Sequence, residues 1–85
     1  MSAVAGVAPT SGLAVAHLAL DQVCLDVERV LALVRTRGYH LQRLIVSGGD
    51  CHVWIEAAEG QLPLLCARLR RLQGPRLCGD LEWRA

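Results

Sequence analysis

The sequence predicts a small α+β domain, with two helices on one face of a four-stranded antiparallel sheet and the element order β-α-β-β-α-β. Two segments repeat apolar residues with the period of a helix, and four shorter segments have the apolar or alternating pattern of strands. Glycine and proline fall between these segments, where they are typical of turns. The chain has 85 residues, enough for one domain at most.

The first strand is predicted from Gly12 to Leu20 (GLAVAHLAL), because this run is apolar on both alternating faces, as in strands covered on both sides. The first helix follows. Asp26 is its predicted N-cap, because a carboxylate can accept hydrogen bonds from the unpaired N–H groups of a first turn. Gly38 is predicted to end this helix. The buried stripe of the helix is predicted at the spacing i, i+3, i+4, i+7 as Val27, Val30, Leu31 and Val34.

A β-hairpin is predicted next, with strands at His40–Ser47 and Cys51–Ala58. The turn between them, Ser47-Gly48-Gly49-Asp50, contains two glycines, which readily adopt the positive φ of tight turns. Alternation along the second of these strands predicts one face with Cys51, Val53, Ile55 and Ala57, and the other with His52, Trp54, Glu56 and Ala58.

The second helix is predicted after a turn at Glu59–Gln61, with Pro63 in its first turn, where the missing N–H costs little. Gly74-Pro75 is predicted to end this helix, and residues 77–84 are predicted to form the last strand. The buried stripe of the helix is predicted as Leu62, Leu65, Cys66, Leu69 and Leu72.

This element order is that of the ferredoxin-like fold, or split βαβ motif, in which both helices pack on one face of the sheet. In a monomer the other face would leave Trp54 and its neighbours uncovered. Residues 12–85 form the predicted domain. Residues 1–11 are small and turn-prone, and we predict that they form a disordered tail.

Composition favours an interaction protein. Apolar residues (AVILMFWYC) make up 53% of the chain, whereas a typical domain has roughly 45–50% even when Gly is counted. A domain of this size has little interior, so we expect the surplus in an interface. All nine basic residues are Arg, which suits interface ion pairs but also fits a biased genomic base composition. The net charge of +1 gives no field that would attract nucleic acid or an anionic membrane.

The four cysteines are predicted to be reduced, mostly buried thiols of a cytoplasmic protein. The N-terminus lacks the basic and apolar regions of a signal peptide, and no run approaches the roughly 18 apolar residues of a membrane span. Cys51 and His52 are adjacent in a strand and point to opposite faces, so they cannot chelate one ion, and the first loop holds only Cys24. We therefore predict no metal site.

Catalysis is not predicted either. No pattern sets a catalytic pair in space between a cysteine and His17, His40 or His52, and the glycine turn lacks the helix that follows a phosphate-binding loop. We expect no cofactor and no catalytic residue in this chain.

Binding to RNA is an alternative on this fold, which stacks bases on aromatic side chains of its central strands. The aromatic residues here are only Tyr39, Trp54 and Trp83, and no RNP-like run is present. A basic edge for RNA is one interpretation of the arginines in and after the second helix, but we favour a solvated helix face or a salt-bridged interface. These residues are Arg68, Arg70, Arg71 and Arg76.

Trp54 points away from the core residues of its own strand. It is therefore either an interface anchor or an indole folded under the domain's own tail or edge. We favour the anchor, and the predicted interface residues are His52, Trp54, Arg68 and Arg71.

The stretch Asp26 to His40, DVERVLALVRTRGYH, resembles the first helix of the small, regulatory subunit of acetolactate synthase (acetohydroxyacid synthase), of the short type with a single ACT domain. In that family the stretch reads like LERVLRVVRxRGFH. The later LPLLCARLRRL is similar to the family's second helix, so the resemblance covers roughly residues 12–85.

The resemblance implies an ACT domain, which is a ferredoxin-like sandwich, and a homodimer formed through such domains. It also implies a non-catalytic subunit that binds and activates the acetolactate synthase large subunit in the biosynthesis of valine, leucine and isoleucine. Thiamine diphosphate, Mg²⁺ and FAD would all belong to that large subunit.

Many ACT domains bind an amino acid at the loop between the first strand and the first helix. Here the loop has the family's Asp but lacks the Gly that lets the backbone approach a ligand closely. The missing Gly argues against amino-acid binding, and a free-standing amino-acid-binding ACT module is kept as the alternative function. By the resemblance, a branched-chain amino acid would be lined by Asp21, Gln22, Val23 and Cys24.

Overall fold

The computed structural model of the protein describes residues 11–85. The predicted disordered tail, residues 1–11, lies outside this part of the chain apart from Ser11, which begins the first strand. A 3₁₀ turn at Glu59–Gln61 precedes the second helix. The elements are β1 (Ser11–Ala19), α1 (Val23–Thr36), β2 (His40–Ser47), β3 (Asp50–Ala58), α2 (Leu62–Arg70), β4 (Arg76–Leu77) and β5 (Glu82–Arg84).

The strands form one antiparallel sheet in the order β2-β3-β1-β4, with β5 also paired to β1. β1 and β3 are the central strands and pair over their full lengths, with His17 opposite His52. Buried residues of both helices join those of β1 and β3 in one hydrophobic cluster. The predicted α+β class is confirmed, and the arrangement is compatible with a ferredoxin-like fold.

The last strand was predicted as one continuous segment over residues 77–84, and this is wrong. β4 and β5 are separate short strands, so the sheet has five strands rather than four. Gly79 adopts a φ of +76° between them, which takes the backbone out of the extended conformation. Both strands nevertheless pair with β1, because the chain returns to the same edge.

The N-terminus of α1 also differs from the prediction. The helix begins at Val23 with Gln22 as its N-cap, so Asp26 lies inside the first turns. Asp26 still binds backbone N–H groups, because its Oδ2 accepts hydrogen bonds from the N–H of Asp21 at 2.8 Å and of Gln22 at 3.1 Å. At the other end the prediction is confirmed, since Gly38 follows the helix with a φ of +72°.

The buried stripe of α1 faces a slightly different direction from the one predicted. Leu31 is 37% exposed, and Leu33 is buried in its place. The buried positions, Asp26, Val30, Leu33 and Val34, follow the spacing i, i+4, i+7, i+8. The Asp26 carboxylate, which is 1% exposed, therefore helps to set which side of α1 faces the sheet.

The predicted alternation along β3 is confirmed. Cys51, Val53 and Ile55 are fully buried, whereas His52 and Trp54 lie on the other face. In α2, Leu65 and Leu69 are fully buried. The remaining predicted members of the α2 stripe, each partly buried, are Leu62, Cys66 and Leu72.

Trp83 packs against the start of β1 and the end of β3. Its Nε1 donates a hydrogen bond to the carbonyl oxygen of Ala57 at 3.1 Å. The indole lies over Gly12, where a Cβ would come within 2.7 Å of the ring. The absence of a side chain at Gly12 thus makes room for Trp83.

Candidate interaction site

The face of the sheet opposite the helices, here called the open face, is not covered by any element of residues 11–85. Every second side chain of β1 and β3 lies on this face, and the pairing of β3 with β2 adds side chains from β2. Its central side chains are Val15 and His17 from β1, His52 and Trp54 from β3, and Arg43 and Ile45 from β2.

Two histidines stack at the centre of the open face. The imidazoles of His17 and His52 have centroids 4.4 Å apart and planes within 4° of each other. They meet because these residues are directly opposite in the register of β1 and β3. His17 Nε2 also donates a hydrogen bond to Oδ1 of Asp50, at 2.8 Å. The carboxylate therefore holds one ring, and the other ring packs flat against it.

Trp54 lies beside this pair. Its ring centroid is 6.3 Å from that of His52, and the guanidinium carbon of Arg43 lies 5.2 Å from the centroid of the indole. That distance is within the range of a cation–π interaction. Ile45, which is 39% exposed, lies opposite His52 in the hairpin. The open face thus combines aromatic and guanidinium groups, which are enriched in protein interfaces, with an exposed aliphatic side chain.

Because the two imidazole planes are nearly parallel, the ring nitrogens of His17 and His52 do not converge on one point. Within residues 11–85 no group of three or more His, Cys, Asp or Glu side chains is placed to hold a metal ion.

The predicted ligand loop binds the side chain of Asp26 through its backbone. Asp21 and Gln22 precede α1, Val23 and Cys24 form its first turn, and all four side chains are exposed. The N–H groups of Asp21 and Gln22, which could bind a ligand carboxylate, already donate to the buried carboxylate of Asp26. The Asp26 side chain therefore occupies the two donors that a ligand carboxylate would need.

Further contacts tie this loop to the segment after α2. Nη1 of Arg29 donates to Oδ1 of Asp26 at 3.3 Å and to the carbonyl oxygen of Gln73 at 2.7 Å. Gly74 has a φ of +100°, and a Cβ there would collide with the Asp26 carboxylate. A buried carboxylate, an arginine and a glycine thus lock two turns together.

The four predicted interface residues do not share one surface. His52 and Trp54 lie on the open face, whereas Arg68 and Arg71 lie on or just after α2, in the helix layer. Arg68 donates a hydrogen bond to the hydroxyl of Tyr39 at 2.8 Å and lies over its ring. If all four contact partners, they define two separate surfaces.

Sequence reasoning missed four central members of the open face, Val15, His17, Arg43 and Ile45. Alternation in β1 signals that His17 and Val15 share a face. That His17 stacks on His52 depends on the register between strands that are far apart in sequence, which alternation does not contain. For β2, the irregular register between Leu41 and Arg43 shifts the alternation within the strand.

The cysteines are free within the described chain, but the expectation that most are buried is only partly met. Cys51 is buried, Cys66 and Cys78 are half-buried, and Cys24 is exposed. Burial raises the pKa of the Cys51 thiol above its ordinary value of 9.0. Within residues 11–85, no helix has the length and apolar character needed to cross a bilayer.

Comparison of the chain with family models, with curated proteins and with solved structures found no match.

Proposed function

We propose that this protein is a non-catalytic regulatory subunit with an ACT-type domain, which binds and activates the catalytic subunit of acetolactate synthase in branched-chain amino-acid biosynthesis. Thiamine diphosphate, Mg²⁺ and FAD would be held by the catalytic subunit. The regulatory subunit would act by binding the active state of its partner more tightly than the inactive state.

The main support is the open face. It presents a tryptophan, a stacked histidine pair and an exposed isoleucine, and no element of residues 11–85 covers it. Large aromatic side chains in such a position are typical of the centre of a protein interface. The half-buried indole of Trp54, held under Arg43, is already ordered for binding.

Further support comes from the resemblance of residues 26–40 to the first helix of the family. Most of this stretch lies in α1, and it ends at Tyr39 and His40 after Gly38. Two helices on one face of an antiparallel sheet, in the order compatible with a ferredoxin-like fold, are what the ACT proposal requires.

The alternative, a free-standing amino-acid-binding module, has less support. In the β1–α1 loop, the N–H groups of Asp21 and Gln22 are engaged by Asp26. Calorimetry with valine, leucine and isoleucine separates the two functions. We expect no heat of binding to the isolated chain, and a saturable signal with any of the three would favour the alternative.

The test of the proposed function is reconstitution with the purified acetolactate synthase large subunit of the same organism. We expect the two chains to co-elute in gel filtration and the turnover of the large subunit to rise when the chain is added. Absence of both effects would contradict the proposal.

A matched pair of variants tests whether the open face is the contact. Trp54→Ala removes the aromatic anchor. We expect the concentration of the chain that gives half-maximal activation to rise by about tenfold. Leu31→Ser alters a 37% exposed apolar residue in the helix layer and should leave activation unchanged. Equal effects of the two variants would exclude the open face as the site of contact.

A further inference from the structure

We propose that the groove between α1 and α2 is a second docking site, and that it binds an acidic amphipathic segment of a partner protein. This proposal does not depend on acetolactate synthase being the partner. It concerns the helix layer, on the opposite side of the sheet from the open face.

The floor of the groove is apolar. The groove has a volume of about 350 Å³ and lies where the side chains of the two helices meet. Leu64 in this floor is 53% exposed, which is more than any other exposed large hydrophobic residue of residues 11–85. The apolar floor consists of Leu33, Leu64, Ala67 and Leu72.

The rim of the groove is positively charged. Arg37 at the end of α1 and Arg68 and Arg71 of the α2 segment all line it. Among the ion pairs of residues 11–85, none involves these three arginines. Arg68 is already held in place by the Tyr39 hydroxyl and ring. Three guanidinium groups around exposed leucine therefore complement a partner that has both carboxylates and apolar side chains.

The extent of the surface favours a protein segment over a small molecule. A second cleft of about 290 Å³ shares Arg37, Leu64 and Arg68 with the groove and continues past Tyr39 to His40 and Glu56. A surface of two connected open clefts fits an elongated occupant. The established mode for such a groove is an amphipathic helix with apolar residues at i, i+3, i+4 and i+7.

The experiment uses the full chain and a fluorescein-labelled amphipathic peptide of about three helical turns. The peptide has Leu at i, i+3, i+4 and i+7 and Glu at the other positions. One control peptide has Lys in place of each Glu, and another has Ser in place of each Leu. We expect fluorescence anisotropy to show binding of the acidic peptide alone, because both charge and apolar contact are required.

Two matched pairs of variants locate the site. Arg37→Glu should weaken binding by about fivefold or more. Its control is Arg35→Glu, which makes the same change of charge at the same end of α1 but outside the groove, and should have a smaller effect. Leu64→Ser should weaken binding by about tenfold. Its control is Leu25→Ser, because Leu25 is 41% exposed and is likewise the third residue of its helix.

Three outcomes would overturn the proposal. The first is equal binding of the acidic and lysine peptides, or equal effects within each pair of variants. The second is self-association of the unlabelled chain that Arg37→Glu abolishes, since a second copy would then fill the groove. The third is binding of single-stranded polyuridylate, but not of the peptide, with the same dependence on Arg37.

Discussion

The two faces of the sheet are built from the same strands but have very different surroundings. On the helix side, β3 contributes Cys51, Val53 and Ile55, which are completely buried. On the other side, the same strand contributes His52 and Trp54, which stay half-exposed in residues 11–85. Because burial of apolar area is what stabilises the fold, the helix side supplies the free energy of folding. The open face retains apolar area that can stabilise an association instead.

The largest expected effect compares two isoleucines on these faces. Ile55→Ala, on the helix side, should lower the free energy of unfolding by about 2–5 kcal/mol, because it leaves a cavity in the core. Ile45→Ala, on the open face, should lower it by about 1 kcal/mol or less, because that side chain already meets solvent. Urea denaturation of dilute monomer measures both. Should Ile55→Ala not fold, Ile55→Val and Ile45→Val give the same comparison at smaller amplitude.

This first prediction also tests whether the open face is truly uncovered. If Ile45→Ala destabilises the chain as much as Ile55→Ala, something covers the open face in solution. Repeating the measurement at higher chain concentration then shows whether the cover is a second copy, because stability would rise with concentration.

The second prediction concerns the polar contacts at the edge of the helix side. Gly74→Ala should destabilise the fold by about 1–3 kcal/mol, because its φ of +100° disfavours a side chain and a Cβ would strike the Asp26 carboxylate. Gly60→Ala is the control, since a Cβ at Gly60 meets nothing within 4 Å. Thermal unfolding of the two variants measures the difference. Equal losses would mean that the contact between the two turns is not required.

The smallest expected effect is the pH dependence contributed by Cys51. Burial raises the pKa of its thiol above 9.0, so the unfolded chain loses this proton at a lower pH than the folded chain. The contribution of Cys51 to stability is therefore complete below pH 9.0 and decreases as pH rises above it, by at most about 1.4 kcal/mol per pH unit.

Cys51→Ala should remove this part of the pH dependence, whereas Cys66→Ala, at a half-buried position, should retain it. Urea denaturation one pH unit below and one above 9.0 measures the change. An unchanged difference in Cys51→Ala would contradict the assignment of the effect to this thiol.

Local patterns predicted much of the fold because the interactions behind them are local. The Gly48-Gly49 turn, the helix stop at Gly38 and the alternation of β3 all lie where the sequence indicates. Each depends on residues only a few positions apart. The N-cap of α1 lies four residues before the predicted one, because the carboxylate at Asp26 binds backward to N–H groups that precede the helix.

The candidate sites were less predictable than the elements that build them. Trp54 was recognised because alternation alone separates it from the core. Its neighbours His17 and Arg43 come from two other strands, and the register of the sheet brings them together. The arginine-rimmed groove likewise joins Arg37 to Arg68 and Arg71 of the α2 segment.

The sequence by itself determined the order of helices and strands, the positions of the main turns and which residues of β3 face the helices. These follow from backbone preferences and from periods of 2 and 3.6 residues, which act within one segment. The tertiary structure alone decided that the last strand is split, that His17 stacks on His52 and that three arginines line one groove with Leu64. Those features arise from contacts between distant segments, and such contacts depend on register and packing rather than on any local pattern.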